Sequence, residues 1–377
     1  MSGVERIRAE IRELTAYPVP AGGEAVKLDA MESPYPWPDE HLREAWLQCL
    51  AAVSVNRYPD PRAPALSERL RAHLGLGADQ RLVLGNGSDE LIQLITLALA
   101  RPGASVMAPE PTFVMYSMIA RFCGVAYHGV PLRGDDFGLD VWAFREAIAE
   151  HDPDVIFLSW PNNPTGNLWP RGDVEAIIEV ARGLVVIDEA YQPFAQDSFV
   201  EDLGRWPHVV VLRTLSKLGL AGLRLGALVG PGAWLDAIDK LRLPYNVNAL
   251  TQASAAFALE HFDVLAEQAA SVRAERERMA VALDVRPELT VFPSAANFLL
   301  VRLHGGDARA AHEELLAGGI RVKCLHGAHP ALAQCLRLTV GTPAENAQLE
   351  ARLGRYLDGL GGDGEAGPPG ASTSSTV

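Results

Sequence analysis

Lysine is scarce in this chain, and one lysine stands where an amine could do chemistry. The chain has four lysines, Lys27, Lys217, Lys240 and Lys323, so almost all of its positive charge is carried by arginine. The guanidinium of arginine stays protonated and is a poor nucleophile, whereas an amine can lose its proton and attack a carbonyl. Lys217 ends the run "RTLSK" and precedes the glycine-rich "LGLAGLRLG". We therefore take Lys217 as the candidate nucleophilic amine.

A candidate phosphate site lies in the stretch "VLGNGSDELI", residues 83–92. A strand pattern passes through a glycine turn into a helix pattern, with Ser88 or Asp89 suited to the N-cap. The start of a helix offers free backbone N–H groups and a positive dipole end, which together bind phosphate. We expect Gly87, Ser88 and Asp89 to form such a cradle. The alternative, an ordinary capped turn, fits this stretch equally well on its own.

A dinucleotide site is a second interpretation of the same stretch. "GNGSDE" begins like the G-x-G-x-x-G pattern, and Glu110 stands about where an acidic ribose ligand would. Glu90, however, replaces the third glycine. The dinucleotide interpretation also leaves the polar residues further along the chain without a role.

Polar side chains follow two later strand patterns. Asn163 lies in "SWPNNPTGN", directly after the apolar "DVIFLS", and it can donate a side-chain N–H. Asp188 and Tyr191 end "VVIDEAY". A carboxylate at the edge of a buried strand needs a partner, because burying it unpaired is costly. For Asp188 alone, a structural ion pair with an arginine is the simpler explanation.

The elements that must position these residues alternate between strand and helix. Apolar runs of five to seven residues alternate with amphipathic runs from "RLVLG" to "LGALVG", over roughly 150 residues. This alternation predicts an α/β fold with a mostly parallel sheet covered by helices on both faces. Ligands of such sheets bind beyond the carboxyl ends of the strands, where the polar residues stand.

Four regions follow from the change of pattern along the chain. Long helices are predicted from about residue 245, notably "FDVLAEQAASVRAERERMAVAL", and a smaller mixed α+β unit follows. We expect an N-terminal segment (1–45) that packs with the small domain or a dimer partner, a large domain (46–270), a small domain (271–360) and a disordered Gly, Pro and Ser rich tail (361–377).

A phosphate cradle, an amide, a carboxylate, a phenol and an amine at successive strand ends match the needs of pyridoxal phosphate. Lys217 would form an imine with its aldehyde, and Asp188 would keep its ring nitrogen protonated. Asn163 and Tyr191 would hydrogen-bond its phenolic oxygen. Ser216 and Arg224 would hold its phosphate, and Phe113 would lie flat on its ring.

Composition excludes several function classes. The formal net charge of −14 disfavours nucleic acid and anionic membranes as partners. No apolar stretch approaches the roughly 18 residues of a spanning helix, and the N-terminus is charged where a signal peptide is apolar. The four cysteines, Cys49, Cys123, Cys324 and Cys335, are too scattered for a disulfide framework. We expect a cytoplasmic globular protein.

A metal site is also considered and set aside. The stretch "CLHGAHPALAQC", residues 324–335, holds two cysteines and two histidines. Their spacing fits no ordinary structural zinc pattern, and Cys335 falls within a predicted strand. We expect no metal there.

The ordered motifs "GSDE", "PNNPTG", "DEAY", "TLSK", "GLRLG" and "CLRLTVGT" resemble those of the fold-type I pyridoxal-phosphate aminotransferases. With "KLDAMESPYP" and "NRYPDP", the chain is similar to the histidinol-phosphate aminotransferase family over residues 5–358. The resemblance implies a cofactor-binding role for Thr214. In the family the lysine-to-arginine spacing is usually one residue longer than from Lys217 to Arg224, so we expect a tightened turn here.

The resemblance also implies a homodimer with shared active sites, in which Tyr58 reaches the phosphate of the partner's cofactor. It implies that Arg337 grips the substrate carboxylate or its equivalent, with Asn297 near it. Tyr17 would help to enclose the substrate. Lys323 stands where the family commonly places an arginine for the substrate's distal phosphate. Arg321 is the alternative residue for that phosphate, and we expect its side chain to point to the opposite face.

The activity implied is transamination, which interconverts histidinol phosphate plus 2-oxoglutarate and imidazole acetol phosphate plus glutamate in histidine biosynthesis. Two alternatives share the fold: an aromatic amino-acid aminotransferase and a decarboxylase or lyase of a phosphate ester. A non-catalytic cofactor-binding domain of a regulator and a dinucleotide-dependent oxidoreductase are the alternatives from other classes. The motifs around the cofactor do not separate the aromatic amino-acid aminotransferase from histidinol-phosphate transamination, because the two would differ only in the substrate pocket.

Overall fold

A seven-stranded sheet forms the centre of the larger part of the molecule. The computed structural model of the chain describes residues 3–15, 23–134 and 136–362. The strands of this sheet run in the spatial order β2-β8-β7-β6-β5-β3-β4. Their bounds are β2 Gln80–Asn86, β3 Ser105–Glu110, β4 Ala126–Pro131, β5 Val155–Ser159, β6 Leu184–Asp188, β7 Val209–Thr214 and β8 Leu225–Pro231. The strands from β7 to β4 pair in parallel, whereas β8 runs antiparallel to both of its neighbours. The prediction of a mostly parallel sheet is confirmed.

Successive side chains of the central strands enter two different cores. Along β5, Val155 and Phe157 belong to one apolar cluster, and Ile156 and Leu158 to another. Because neighbouring side chains of a strand point to opposite faces, the continuous apolar run buries both faces of the sheet. This arrangement explains why the strands read as uninterrupted apolar runs.

Helices cover both faces and lead out of the sheet. In chain order they are α1 Ala9–Arg12, α2 Arg43–Ala51, α3 Pro64–His73, α4 Ser88–Leu99, α5 Met115–Cys123, α6 Val141–His151, α7 Arg171–Ile178, α8 Gln192–Ala195, α9 Gly232–Ile238, α10 Ala249–Glu260, α11 Phe262–Asp284, α12 Ala308–Ala317 and α13 Pro343–Gly362. In the described ranges no helix is long and apolar enough to cross a membrane.

A five-stranded sheet forms the smaller unit, in the order β1-β11-β12-β10-β9. Its strands are β1 Val26–Leu28, β9 Leu289–Val291, β10 Phe298–Leu303, β11 Ile320–Cys324 and β12 Cys335–Thr339. The N-terminal strand β1 pairs in parallel with β11, so the start of the chain is part of this sheet. Helix α11 is continuous through residue 270, where the sequence pattern places a domain boundary.

Candidate active site

One pocket opens where β5, β6 and β7 of the large sheet end, and we call it the strand-end pocket. Ser159 and Asp188 are register neighbours at the last positions of β5 and β6. The pocket is lined by Met31, Ser88, Asp89, Phe113, Ser159, Asn163, Asp188, Ala190, Tyr191, Thr214, Ser216, Lys217 and Arg224. Ten of these thirteen side chains are ones that the sequence analysis assigned to a cofactor. The parallel strands bring them together because their carboxyl ends share one edge.

Lys217 projects into this pocket from a 3-10 turn, Ser216–Leu218, that follows β7. Its Nζ donates to the backbone oxygen of Ala30 at 3.4 Å. Burial, together with the positive charge of Arg337, lowers the pKa of Lys217 to about 8. Near neutral pH the amine is therefore more often neutral, and so more nucleophilic, than that of an ordinary lysine.

Asp188 ends β6 and is almost fully buried. Its Oδ2 accepts a hydrogen bond from the Tyr116 hydroxyl at 2.7 Å, and its Oδ1 accepts one from the Ala190 amide at 3.0 Å. Burial raises the pKa of Asp188 to about 6, and these two hydrogen bonds oppose the rise. It is the adjacent Glu189 that pairs with an arginine, Arg213, at 2.9 Å. The ion pair considered for Asp188 is thus made by its neighbour.

The phosphate cradle differs in one detail from the prediction. The N-cap of α4 is Gly87, and Ser88 and Asp89 form the first turn of the helix. The prediction that Ser88 or Asp89 is the N-cap is wrong, because the chain turns at a residue with φ +85°, a conformation that favours glycine. The backbone N–H groups of this turn remain available for an anion.

Arg224 reaches the cradle through the pairing of β2 with β8. Asn86 and Leu225 are register partners, so Arg224 lies beside Gly87. Two short 3-10 turns, separated by Gly219 at φ +96°, connect Lys217 to Arg224, which itself has φ +49°. These turns span the seven positions from Lys217 to Arg224. Arg224 lies 3.3 Å from a carboxylate oxygen of Asp89 and 3.5 Å from the Ser216 hydroxyl.

Replacing Gly87 with alanine tests the cradle. An added Cβ would lie 2.6 Å from Nη2 of Arg224, at a backbone conformation (φ +85°, ψ 166°) that costs a non-glycine residue about 1–3 kcal/mol. We expect Gly87→Ala to displace Arg224 and to raise the dissociation constant for pyridoxal phosphate about tenfold or more, measured by titration of apoenzyme. Gly77→Ala is the control, since its added Cβ meets nothing within 4 Å. Equal affinities in the two variants would contradict the assignment.

Asn163, Tyr191 and Phe113 line the pocket from three other segments. The Oδ1 of Asn163 accepts from Arg337 at 2.7 Å, which directs the amide N–H groups of Asn163 elsewhere. The Tyr191 hydroxyl donates to the sulfur of Met31 at 3.1 Å. Phe113 meets Tyr116 edge to face, with ring centroids 5.5 Å apart. Thr214 supports Ser216 through a hydrogen bond of 2.9 Å between their hydroxyls.

Arg337 enters the site from β12 of the small sheet and is 7% exposed. Besides Asn163, it donates to the backbone oxygen of Asp29 at 2.9 Å. Asn297 is buried nearby and donates to the backbone oxygen of Met31 at 2.9 Å. Residues 29–31 thus contact Lys217, Tyr191, Arg337 and Asn297, and we call them the site strap.

The small sheet places several cations on the face that carries Arg337. Lys323 is the register partner of Arg337, and Lys27 is the register partner of Arg321. Paired residues share a face, and so do residues two apart on a strand. The expectation that Arg321 and Lys323 point to opposite faces is therefore wrong. We call this surface the cationic face, formed by Lys27, Arg321, Lys323 and Arg337.

Tyr58 lies outside the strand-end pocket. Tyr58 is 81% exposed, and its ring stacks on Tyr245 with centroids 4.5 Å apart. Tyr17 lies outside the described residues. The part of the chain that the structure describes holds no group of three His, Cys, Asp or Glu side chains that could bind a metal ion.

Tyr116 and the site strap had no predicted role, although the strap lies within the motif "KLDAMESPYP". Tyr116 lies in α5, within an apolar pattern that predicts only core packing. A tyrosine three residues after Phe113, at the start of a mostly apolar helix, was the signal that could have found it. Apart from the sulfur of Met31, the strap contributes backbone oxygens, which no residue type reveals.

Comparisons with known proteins agree with this geometry. The model of the family "Aminotransferase class I and II" matches residues 24–353. Histidinol-phosphate aminotransferase 1 of Burkholderia lata is 52% identical over 94% of this chain and 98% of its own. The histidinol-phosphate aminotransferase of Chromobacterium violaceum is 52% identical over 93% and 98%.

One solved structure is similar to this chain in fold as well as in sequence. It is that of histidinol-phosphate aminotransferase from Sinorhizobium meliloti in complex with pyridoxal-5'-phosphate, with a TM-score of 0.83 and 27% identity. The match covers 95% of this chain and 99% of that one. By its sequence, its fold and the residues of its strand-end pocket, this chain belongs to the class I and II aminotransferases.

Proposed function

We propose that this protein is a pyridoxal-phosphate enzyme that transfers an amino group between histidinol phosphate and 2-oxoglutarate, giving imidazole acetol phosphate and glutamate. The observation that carries the proposal is the convergence of Lys217, Asp188 and Arg337 on one site. An amine of lowered pKa and a buried carboxylate line the strand-end pocket, and a buried guanidinium adjoins it through Asn163.

The residues of the strand-end pocket fit the cofactor. Gly87 leaves open a space that a Cβ would fill, beside the guanidinium of Arg224, and this space suits a phosphate. Asp188 offers a carboxylate to a protonated ring nitrogen, and Lys217 offers the amine for an aldehyde. When bound, pyridoxal phosphate supplies an electron-accepting ring that stabilises the charge left on a substrate carbon after it loses a proton.

Lys217 acts as the general base and acid of the reaction. Its Nζ takes a proton from the substrate's α-carbon and returns one on the way to product. A pKa of about 8 lets the amine both accept and release this proton near neutral pH. The Asn163 amide and the Tyr191 hydroxyl would hold the cofactor ring by hydrogen bonds, and Phe113 would pack against it.

Arg337 serves both substrates in turn. Its fork binds the carboxylate of glutamate in one half-reaction and the phosphate group in the other. Its burial and its bond to Asn163 hold the fork in place before substrate arrives. One site can therefore accept two substrates of different length, because both present an anionic group.

Lys323 holds the distal phosphate of histidinol phosphate together with Arg337. Their register on the cationic face supports this role. A lysine acts there as a point charge without a bidentate fork. We expect Lys323→Met to raise KM for histidinol phosphate about tenfold, while KM for glutamate changes little, in steady-state assays of each half-reaction. Equal changes for the two substrates would argue that Lys323 has no special role with phosphate.

The active enzyme is a homodimer with shared sites, in which Tyr58 of one subunit reaches the cofactor phosphate of the other. Its 81% exposure supports this role, since the side chain is accessible to a partner subunit. We place the reaction in the cytoplasm, a compartment that suits the four free thiols.

The test of substrate class is a half-transamination assay. Holoenzyme is mixed with histidinol phosphate, phenylalanine or tyrosine, and the loss of the cofactor's visible absorbance band is followed. We expect histidinol phosphate to react with the highest kcat/KM. A preference for the aromatic acids would overturn the substrate and leave transamination in place.

A further inference from the structure

Among the described residues, Tyr116 is the one whose side chain donates a hydrogen bond to Asp188. The hydroxyl reaches Oδ2 at 2.7 Å, and the residue is fully buried at the second position of α5. The proposed mechanism gives Tyr116 no role, because it does not line the strand-end pocket.

Two aromatic neighbours fix the direction of this hydroxyl. The ring of Tyr116 stacks on Phe157, with centroids 4.7 Å apart and planes 8° apart. Phe113 meets it edge to face at 5.5 Å, with the planes at 88°. A ring held on two sides has little rotational freedom, so its hydroxyl holds a single position.

Two hydrogen bonds fix the plane of the Asp188 carboxylate. Oδ2 is held by Tyr116 and Oδ1 by the Ala190 amide, so the group cannot rotate without losing a buried hydrogen bond. A carboxylate has about four lone-pair positions, and two are used in this way. The remaining ones are free for a donor in the pocket.

Burial disfavours the ionised form of Asp188, and the hydrogen bond from the Tyr116 hydroxyl favours it. Desolvation raises the pKa of Asp188 to about 6, and the largest opposing effect is the hydrogen bond from Tyr116. The other titratable groups that act on Asp188 are Asp89 of α4, which raises its pKa, and Lys217, which lowers it. Tyr191 raises the pKa of Tyr116.

We propose that Tyr116 is a positioning residue, which orients the Asp188 carboxylate and keeps it ionised toward the ring nitrogen of the cofactor. This inference rests on the proposed function, because it needs a ring nitrogen opposite Asp188. The cofactor's electron demand depends on the protonation of that nitrogen. Tyr116 therefore tunes the cofactor without touching it.

The test is Tyr116→Phe, which removes the hydroxyl and keeps the ring. The visible absorbance of the lysine-bound cofactor is titrated with pH in the holoenzyme, and the dissociation constant of pyridoxal phosphate is measured on apoenzyme. A positively charged ring nitrogen lowers the proton affinity of the lysine-bound nitrogen. Weakening the contact between Asp188 and the ring nitrogen therefore raises the pH midpoint of the absorbance titration. We expect a rise of about one pH unit and an affinity loss of about ten- to a hundredfold.

Tyr127→Phe is the matched control. Tyr127 is also a mostly buried tyrosine with a carboxylate partner, Glu110, but it lies outside the strand-end pocket. We expect wild-type midpoint and affinity for this variant. In an Asp188→Ala background the further effect of Tyr116→Phe on cofactor affinity should vanish, because Tyr116 acts through Asp188.

A wild-type midpoint and affinity in Tyr116→Phe would overturn the inference, even if activity fell. Should this variant not fold, Phe157→Leu is used instead, since it loosens the Tyr116 ring and keeps the hydroxyl. A smaller rise of the midpoint is then expected, and an unchanged midpoint would overturn the inference. Failure of the proposed function is distinguishable, because the wild-type protein itself would then show no visible band of attached cofactor.

Discussion

Lys217→Ala is expected to lower the rate of transamination by about a thousandfold or more and to abolish the visible band of lysine-bound cofactor. Loss of the amine removes both the covalent attachment of the cofactor and the group that moves the proton at the substrate's α-carbon. Single-turnover assays with histidinol phosphate and an absorbance spectrum of the purified variant measure the two effects.

Lys240→Ala is the control for this substitution. Lys240 lies on the exposed 3-10 turn Asp239–Leu241, outside the strand-end pocket, and it is another of the chain's four lysines. We expect wild-type spectrum and rate. A Lys217→Ala protein that kept either the band or more than a tenth of the wild-type rate would contradict the role of Lys217.

Arg337→Gln is expected to raise KM for both glutamate and histidinol phosphate by about a hundredfold. The substitution removes a buried fork that the proposed mechanism uses in both half-reactions, and the loss of such a charge-assisted contact has this order of effect. Arg337→Lys should fall between wild type and Arg337→Gln, because it keeps the charge and loses the fork. Steady-state kinetics of each half-reaction measure the effect.

The same variant has a second readout, since Arg337 lowers the pKa of Lys217. Without this positive charge the pKa of Lys217 rises above its wild-type value of about 8. The rate at which apoenzyme attaches pyridoxal phosphate, which requires the neutral amine, should then reach its half-maximum at a higher pH. Arg286→Gln, which removes a surface ion pair with Asp358, is the control. An unchanged pH midpoint in Arg337→Gln would contradict the proximity of the two cations.

Local patterns in the sequence were enough to predict the large sheet and the pocket at its edge. Apolar runs gave strands buried on both faces, and the polar residues that end them had to meet where parallel strands end. Asn163, Asp188 and Lys217 are of this kind. Each lies at the end of its own strand or within four residues of that end, so no knowledge of distant packing was needed to place it in the pocket.

Contacts between segments that are distant in the sequence were harder to predict. The β1 strand is three residues long and joins a sheet about 290 residues further along the chain, so its register with β11 could not be inferred from periodicity. The prediction that Arg321 opposes Lys323 is wrong for a different reason. Residues 320–324 form a strand, and side chains two residues apart on a strand share a face.

Tyr116 shows a third limit. Its spacing within α5 marks it only as core, and its hydrogen bond depends on how α5 packs against the large sheet. The Gly87 N-cap is similar, because backbone φ and the nearness of Arg224 decide it rather than side-chain preference. Roles that arise from packing geometry require the folded structure.

The central claim, that Lys217 is the residue which carries the cofactor, is tested most directly by reductive trapping. Purified protein is saturated with pyridoxal phosphate, treated with borohydride and digested, and the labelled peptide is identified by mass spectrometry. The account predicts a phosphopyridoxyl group on the peptide that contains Lys217. A label on Lys27 or Lys323 of the cationic face, or no label at all, would contradict it.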